Sequence, residues 1–449
     1  MRKSITVFGV LLLLSLLVVP AAPSMAQTIL TYDTCIQVQN LSSTDATVAL
    51  QFYAQGNTVP VAEPTDLVPG DGSKTFCPLS AVSDGFNGSV VILADQPVVA
   101  LANVTGGAWN AHNASYTGFS EGAQAVNLPL LHYNNWGWYS WFNVQNVGDA
   151  AADVDVYYAD GTESLDNVLQ PNLAMTFDQA DESHTLPVFA ARVESDQPIV
   201  VTVMEVGPRM LLGYNGFTSA HPNPVMPLVI ANNWGYTIGI QIQNTDTTAR
   251  DVTVTYTPSL AGTACNETKT IAGGASETFG LSAWDSGDAD ADNDCVNGET
   301  FIGSGRVTDA GTQPLVAIVN QHNFSNNKGA SYGAFNPDLA TSKVVMPLIT
   351  DHNYGYFTGF NVQNVGTTEA NVECTFFNST RTVSDTLLPG EALTDTQWDV
   401  LGDSENAYVG SAICAAVEPD AKIIGVVNYL RSSGTADTFL VYEAFNAIP

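Results

Sequence analysis

The chain reads as all-β, a tandem array of four antiparallel β-sandwich repeats behind an export signal, and three observations predict it. The run "FNVQNVG" at 142–148 returns unchanged at 360–366, with looser copies "IQVQNLS" at 36–42 and "IQIQNTD" at 240–246. Within the motif Phe142 and Val144 alternate with Asn143 and Gln145, the period of a half-buried strand. The same turn and strand signals then follow every copy in the same order, as in a repeat protein.

Taken in order, residues 1–26 read as a secretory signal peptide: a basic start at Arg2 and Lys3, an apolar run from Ile5 to Val19, and a small-residue exit at Ser24, Met25 and Ala26. Cleavage is expected before Gln27. The run falls short of the roughly 20 apolar residues that span a bilayer, and no later segment is apolar enough, so the expectation is a secreted or cell-surface protein without membrane insertion. Four repeats follow, at 27–126, 127–224, 225–344 and 345–449. In each, a second alternating strand places Val48, Leu50 and Phe52, or their counterparts Val154, Val156 and Tyr158, Val252, Val254 and Tyr256, and Val372, Cys374 and Phe376, on a core face. A Pro- or Gly-bearing turn such as "VPGDGSKTF" (68–76) comes next, then a strand running into "DQPVVA" (95–100) or its equivalent. An aromatic pair closes each copy: Tyr116 and Phe119, Tyr214 and Phe217, Tyr332 and Phe335, Tyr442 and Phe445. Six or seven short strands per copy suit a two-sheet sandwich. The glutamines Gln39, Gln145, Gln243 and Gln363 are spaced by 106, 98 and 120, and the longest interval holds an acidic insertion. Short Pro-rich joints between copies predict a stiff, elongated array.

The run "FNVQNVGDAAADVDVYYADG" (142–161) resembles the CARDB-type and related immunoglobulin-like modules of bacterial secreted and surface proteins. That resemblance implies an immunoglobulin-like sandwich used for adhesion or as a spacer.

A formal charge of −32 with only 13 Lys and Arg repels nucleic acid and anionic lipid heads and attracts divalent cations. Six cysteines, none in the second repeat, predict disulfides in an exported chain: Cys35–Cys77, Cys265–Cys295 and Cys374–Cys414. Cys374 and Cys414 take core positions on different strands, which predicts an inter-sheet bridge.

The insertion "DADADNDCVNGE" at 288–299 is the candidate metal site. Set on a calcium loop, Asp288, Asp290 and Asp292 take the first, third and fifth places, Asp294 offers its carbonyl and Glu299 takes the twelfth, so Ca²⁺ is the expected ion, in a stiffening role. The alternative is a solvated acidic loop tied down by Cys295. In "WGWYSW" (136–141), Tyr139 and Trp141 point away from the core and are the candidate ligand-binding pair; outward aromatics stack on sugars or pack on a neighbouring domain, and the nearby joint favours packing. "GASYG" (329–333) matches a hydrolase nucleophile pattern, yet it aligns with "NASYTGF" in the first repeat, and the six histidines are scattered loop residues, so no catalysis is expected. Finally, the apolar joint strands "NLPLL", "VMPLV" and "VMPLI" number three for four repeats, which leaves one sandwich a strand short. Residues 27–34 are expected to fill that place in a neighbouring molecule. The function these residues suggest is a non-catalytic structural or adhesive protein of the cell surface or extracellular matrix, with a second copy or cell-surface components as partners; a glycan-binding array, with polysaccharide as partner, is the alternative.

Overall fold

The repeated motif exists because its asparagine is a structural key. Asn40, Asn146, Asn244 and Asn364 are all buried, and each donates from Nδ2 to two backbone carbonyls, three for Asn244, while its Oδ1 accepts an amide two residues on. For Asn146 the acceptors are Ala150 (2.7 Å) and Leu169 (2.8 Å) and the donor is Gly148 (2.8 Å); for Asn364 they are Thr368, Leu387 and Gly366. One side chain thus closes the turn after the motif strand and ties that turn to the edge of the opposite sheet. The computed structural model describes residues 31–447 apart from 84, 108–110, 281–283, 285–291, 310–313, 404 and 432–435; the export signal expected at 1–26 lies outside them.

The described chain is built of antiparallel sheets. The motif strands are Tyr32–Asn40, Tyr139–Asn146, Thr237–Asn244 and Tyr356–Asn364. In the first, third and fourth segments the motif strand sits inside a four-stranded sheet, and in the second inside a seven-stranded sheet whose long strand Val188–Val206 serves both layers; in each the layer ends on a strand carrying the repeated tyrosine: His112–Thr117, Leu211–Asn215, Lys328–Gly333 and Phe439–Glu443. A second layer in each segment, continuous with the first through Val188–Val206 in the second segment, holds the alternating strand, whose predicted core residues from Val48 to Phe376 are all buried. In three segments this second sheet is edged by a joint strand, Ala123–His132, Val225–Ala231 or Lys343–Asp351. Each joint strand shifts register around its proline, between Met226 and Val229 and between Met346 and Ile349, where a residue without an N–H costs the ladder nothing. The tyrosine hydroxyl then locks the carbonyl that follows that proline: Tyr214 to Leu130 (2.6 Å), Tyr332 to Leu228 (2.5 Å) and Tyr442 to Leu348 (2.6 Å).

The elongated array is corrected by the packing of the tyrosine strands. Asn215 donates to the Thr117 carbonyl (2.8 Å), Leu212 lies against Gly329, the Gly333 amide meets Glu443, and Ser115 donates to the Val441 carbonyl (2.7 Å). The last strand therefore meets the first, and the four segments close into a ring around a buried axis. Residues at the same place relative to the tyrosine meet one another, so the four strands run in the same direction. Apolar burial drives the closure: Leu101 of the first segment joins the core of the fourth, and Val426, Phe439 and Val441 of the fourth join that of the third.

Two further expectations are revised. Of the segment 27–34, Tyr32, Asp33 and Thr34 pair with Gly106, Thr105 and Val104 of their own sheet, so these three are not free to reach another molecule, and residues 27–30 lie outside the described residues. Cys374 and Cys414 are register partners on neighbouring strands of one sheet, so their bridge is cross-strand and not inter-sheet, because core positions on adjacent strands of one sheet also face the same interior. Cys35–Cys77 and Cys265–Cys295 are likewise bonded. Three disulfides belong to an oxidising compartment.

Candidate functional site

The most exposed aromatic rings stand at one repeated turn. Between joint strand and motif strand, Asn135 bridges Trp138, Asn233 bridges Tyr236 and Asn353 bridges Tyr356, leaving two-residue hairpin turns of Trp136–Gly137, Trp234–Gly235 and Tyr354–Gly355. Both residues of every pair have positive φ, at 52° and 85°, 53° and 83°, and 51° and 79°. Such turns favour Asn-Gly or Gly-Gly. An aromatic L-residue held there costs about 1–2 kcal/mol, yet three turns out of three hold one. The rings are 94%, 90% and 86% exposed. Since the four segments run in the same direction around the axis, the three turns project from the same end of the ring.

What supports the turns is the neighbouring hairpin. Gly137 lies against Pro208, Gly235 against Asn323 and Gly355 against Arg431; Asn323 donates to the Trp234 carbonyl (3.1 Å). Trp138 packs flat over Gly207, where a Cβ would come within 2.5 Å of the indole. Asn135 bonds His132 (3.2 Å). Around the rings stand amide side chains, Asn134, Asn135, Asn232, Asn233 and Asn353, and neither tryptophan turn contains a carboxylate or a base, in a chain with 45 acidic residues. Stacking faces beside neutral hydrogen-bonding groups are the result.

Tyr139 and Trp141 lie elsewhere. Both are half-buried; Tyr139 meets Tyr133 edge-on, and Trp141 packs with Tyr32, Val104, Ala114, Met204 and Leu211 between the first two segments. The expectation for "WGWYSW" rests on Tyr139 and Trp141 and passes over the turn aromatics, whose sequence signal is a Trp-Gly or Tyr-Gly pair recurring before the motif strand.

Of the expected calcium ligands, Asp288 and Asp290 lie outside the described residues. Asp292 is exposed in a short extended pair with the strand Cys265–Ile271, the Asp294 carboxylate accepts the Asn266 amide, and Glu299 accepts from the amide (3.2 Å) and hydroxyl (2.9 Å) of Thr263. Asp153, Asp155 and Asp166 also converge, on the second segment.

Glu205 and Asp437 are fully buried inside the ring. Glu205 accepts from His132 Nε2 (3.0 Å), Asn320 (2.8 Å) and Ser331 (3.3 Å). Ser331 is the serine of "GASYG", but the carboxylate lies between it and the imidazole, the reverse of the order in which a histidine activates a serine. Asp437 accepts the amides of Leu211 (3.3 Å), Gly329 (3.2 Å) and Phe439 (3.3 Å), and its own amide donates to the Ala111 carbonyl (2.9 Å). All four segments thus converge on it. Burial pushes Asp437 well above the usual carboxylate value, against the pull of these amides and of Lys328. His112, His132 and His322 are strand residues, not loop residues, and burial lowers His322 to about 4. Among the described residues no helix is long and apolar enough to cross a membrane. Compared with protein-family models and with curated proteins, the chain matches none.

Proposed function

We propose that this is an exported, non-catalytic adhesive protein in which four immunoglobulin-like sandwiches, starting at Gln27 once the signal is removed, form a closed ring that binds neutral polysaccharide through its aromatic end. The observation that carries the reading is the set of three indole and phenol rings held in strained turns on the same end. Strain kept at three equivalent places asks for a use, and exposed aromatics flanked by amides match the apolar faces and hydroxyls of sugar rings. A surface short of cations, at net charge −32, disfavours anionic lipid as the target. Calcium bound to the 288–299 insertion belongs to the same proposal as a stiffening ion, expected to raise the melting temperature over that in a chelator.

Affinity electrophoresis through gels containing soluble β-glucan or xylan tests the binding. The expected result is retardation of the mature protein and its loss in W136A/W234A/Y354A, on the order of a hundredfold weaker at about 1 kcal/mol per stacked ring, with unfolding no easier than before. Mobility unchanged by any neutral polysaccharide, or binding to zwitterionic phosphatidylcholine vesicles instead, overturns the proposal.

A further inference from the structure

The ring is closed but not uniform, and the irregularity lies between the first two segments. Val193, Val307 and Cys414 occupy equivalent places on the strands Val188–Val206, Phe301–Asp309 and Tyr408–Ala416, each flanked by a joint strand, and all three are fully buried. The equivalent strand of the first segment, Gly88–Ala94, pairs on one side with Ala46–Ala54, and among the described residues nothing pairs with its other edge. Ile92, at the place of those three residues, is accordingly only partly buried, and Leu93 beside it is exposed.

The floor of the place tells the same story. Each joint strand also covers the motif strand of the next segment, so Gln37 and Gln39, Gln241 and Gln243, and Asn361 and Gln363 are buried although they face away from their own cores. Gln37, for example, donates to the carbonyl of Pro347 (3.2 Å). Asn143 and Gln145, at the same places in the second segment, remain partly exposed. A third sign is Tyr116. It aligns with Tyr214, Tyr332 and Tyr442, whose hydroxyls hold the carbonyl after a joint-strand proline, but its own hydroxyl meets no such carbonyl among the described residues. Edge, floor and lock are therefore all present, and each is built for the same missing element.

The sequence says why. Pro129, Pro227 and Pro347 each stand 16 residues ahead of the motif glutamine, and Pro23 stands 16 ahead of Gln39, inside the segment expected to be removed before Gln27. Export would take away the residues at the place of the first joint strand. The three other joint strands are in use, and residues 27–31 are too few to replace a strand of seven to ten, so a second copy offers nothing to insert.

We infer that the groove between the first two segments is a strand-accepting site for another polypeptide: an extended segment with apolar residues around a proline, running antiparallel to Gly88–Ala94. Main-chain pairing along the open edge supplies affinity, and the Tyr116 hydroxyl reads the carbonyl after the proline. This site is distinct from the aromatic end.

The probe is a labelled peptide of residues 343–351, KVVMPLITD, added to the mature chain 27–449. Binding at one peptide per ring is expected, with slowed amide exchange at 90–93. Tyr116→Phe should weaken it about 3- to 10-fold, the range of one hydrogen bond, and Gln145→Trp, which fills the half-exposed floor, should abolish it while the melting temperature stays put. Peptide binding that is indifferent to both variants overturns the inference. So does a mature chain whose amides at 90–93 are protected without peptide, whether light scattering shows a monomer, meaning that its own chain covers the edge, or a dimer, meaning that a second ring does. The uncleaved chain 1–449 is expected to refuse the peptide.

Discussion

Asp437→Ala should cost about 2–4 kcal/mol of stability near pH 5 in urea or guanidinium unfolding, because it strands the buried amides of Leu211, Gly329 and Phe439, which belong to three different segments. The loss falls on the ring axis and not on one sandwich. Lys328, bonded to the Arg431 carbonyl (3.0 Å) and to Thr438, would keep these neutral partners but lose the nearby carboxyl group. The pH dependence has a definite sign. Burial holds the folded Asp437 above its unfolded value of 3.8, so unfolding releases a proton from it. Its contribution is complete below about pH 4 and declines as pH rises toward the folded value. The gap between wild type and Asp437→Ala should therefore narrow between pH 5 and pH 8. A gap that widens over that range would show that the anion, not the acid, is the form the ring prefers.

Asn146→Ala should be comparably severe, about 2–4 kcal/mol. The Ala150 and Leu169 carbonyls and the Gly148 amide lose their partner at once, and the bond to Leu169 is fully buried. Asn146→Asp should be intermediate in direction, since it keeps an acceptor for Gly148 but removes both donors. Asn364→Ala makes the same test in the fourth segment, and because the two sites share no contacts the two costs should add. A loss within about 0.5 kcal/mol, the range of an ordinary surface change, would mean that the motif recurs for another reason.

The motif strand was legible because its information is local: alternation along five residues and a turn at fixed distance depend on neighbours in the chain. The disulfide pairs were legible from compartment and parity, but not the sheet they cross, since two core-facing positions can sit on adjacent strands as easily as on opposed sheets. Trp141 and Trp136 are five residues apart in one aromatic run; the recurring Trp-Gly pair marks the second as a turn residue, but nothing local says that the first is wedged between segments.

By itself the sequence determined the strands, their inward and outward faces and the count of three joint strands for four motifs, because each of these follows from periodicities of two residues and turns of two to four. The tertiary structure alone decided that the segments close into a ring, that the motif asparagines key turn to sheet, that Glu205 and Asp437 become buried hubs, and that, among the described residues, the unpaired edge lies between the first two segments. Those outcomes rest on contacts such as Ser115 with Val441, across 326 residues, where burial of apolar area chooses the partner and no local pattern can name it.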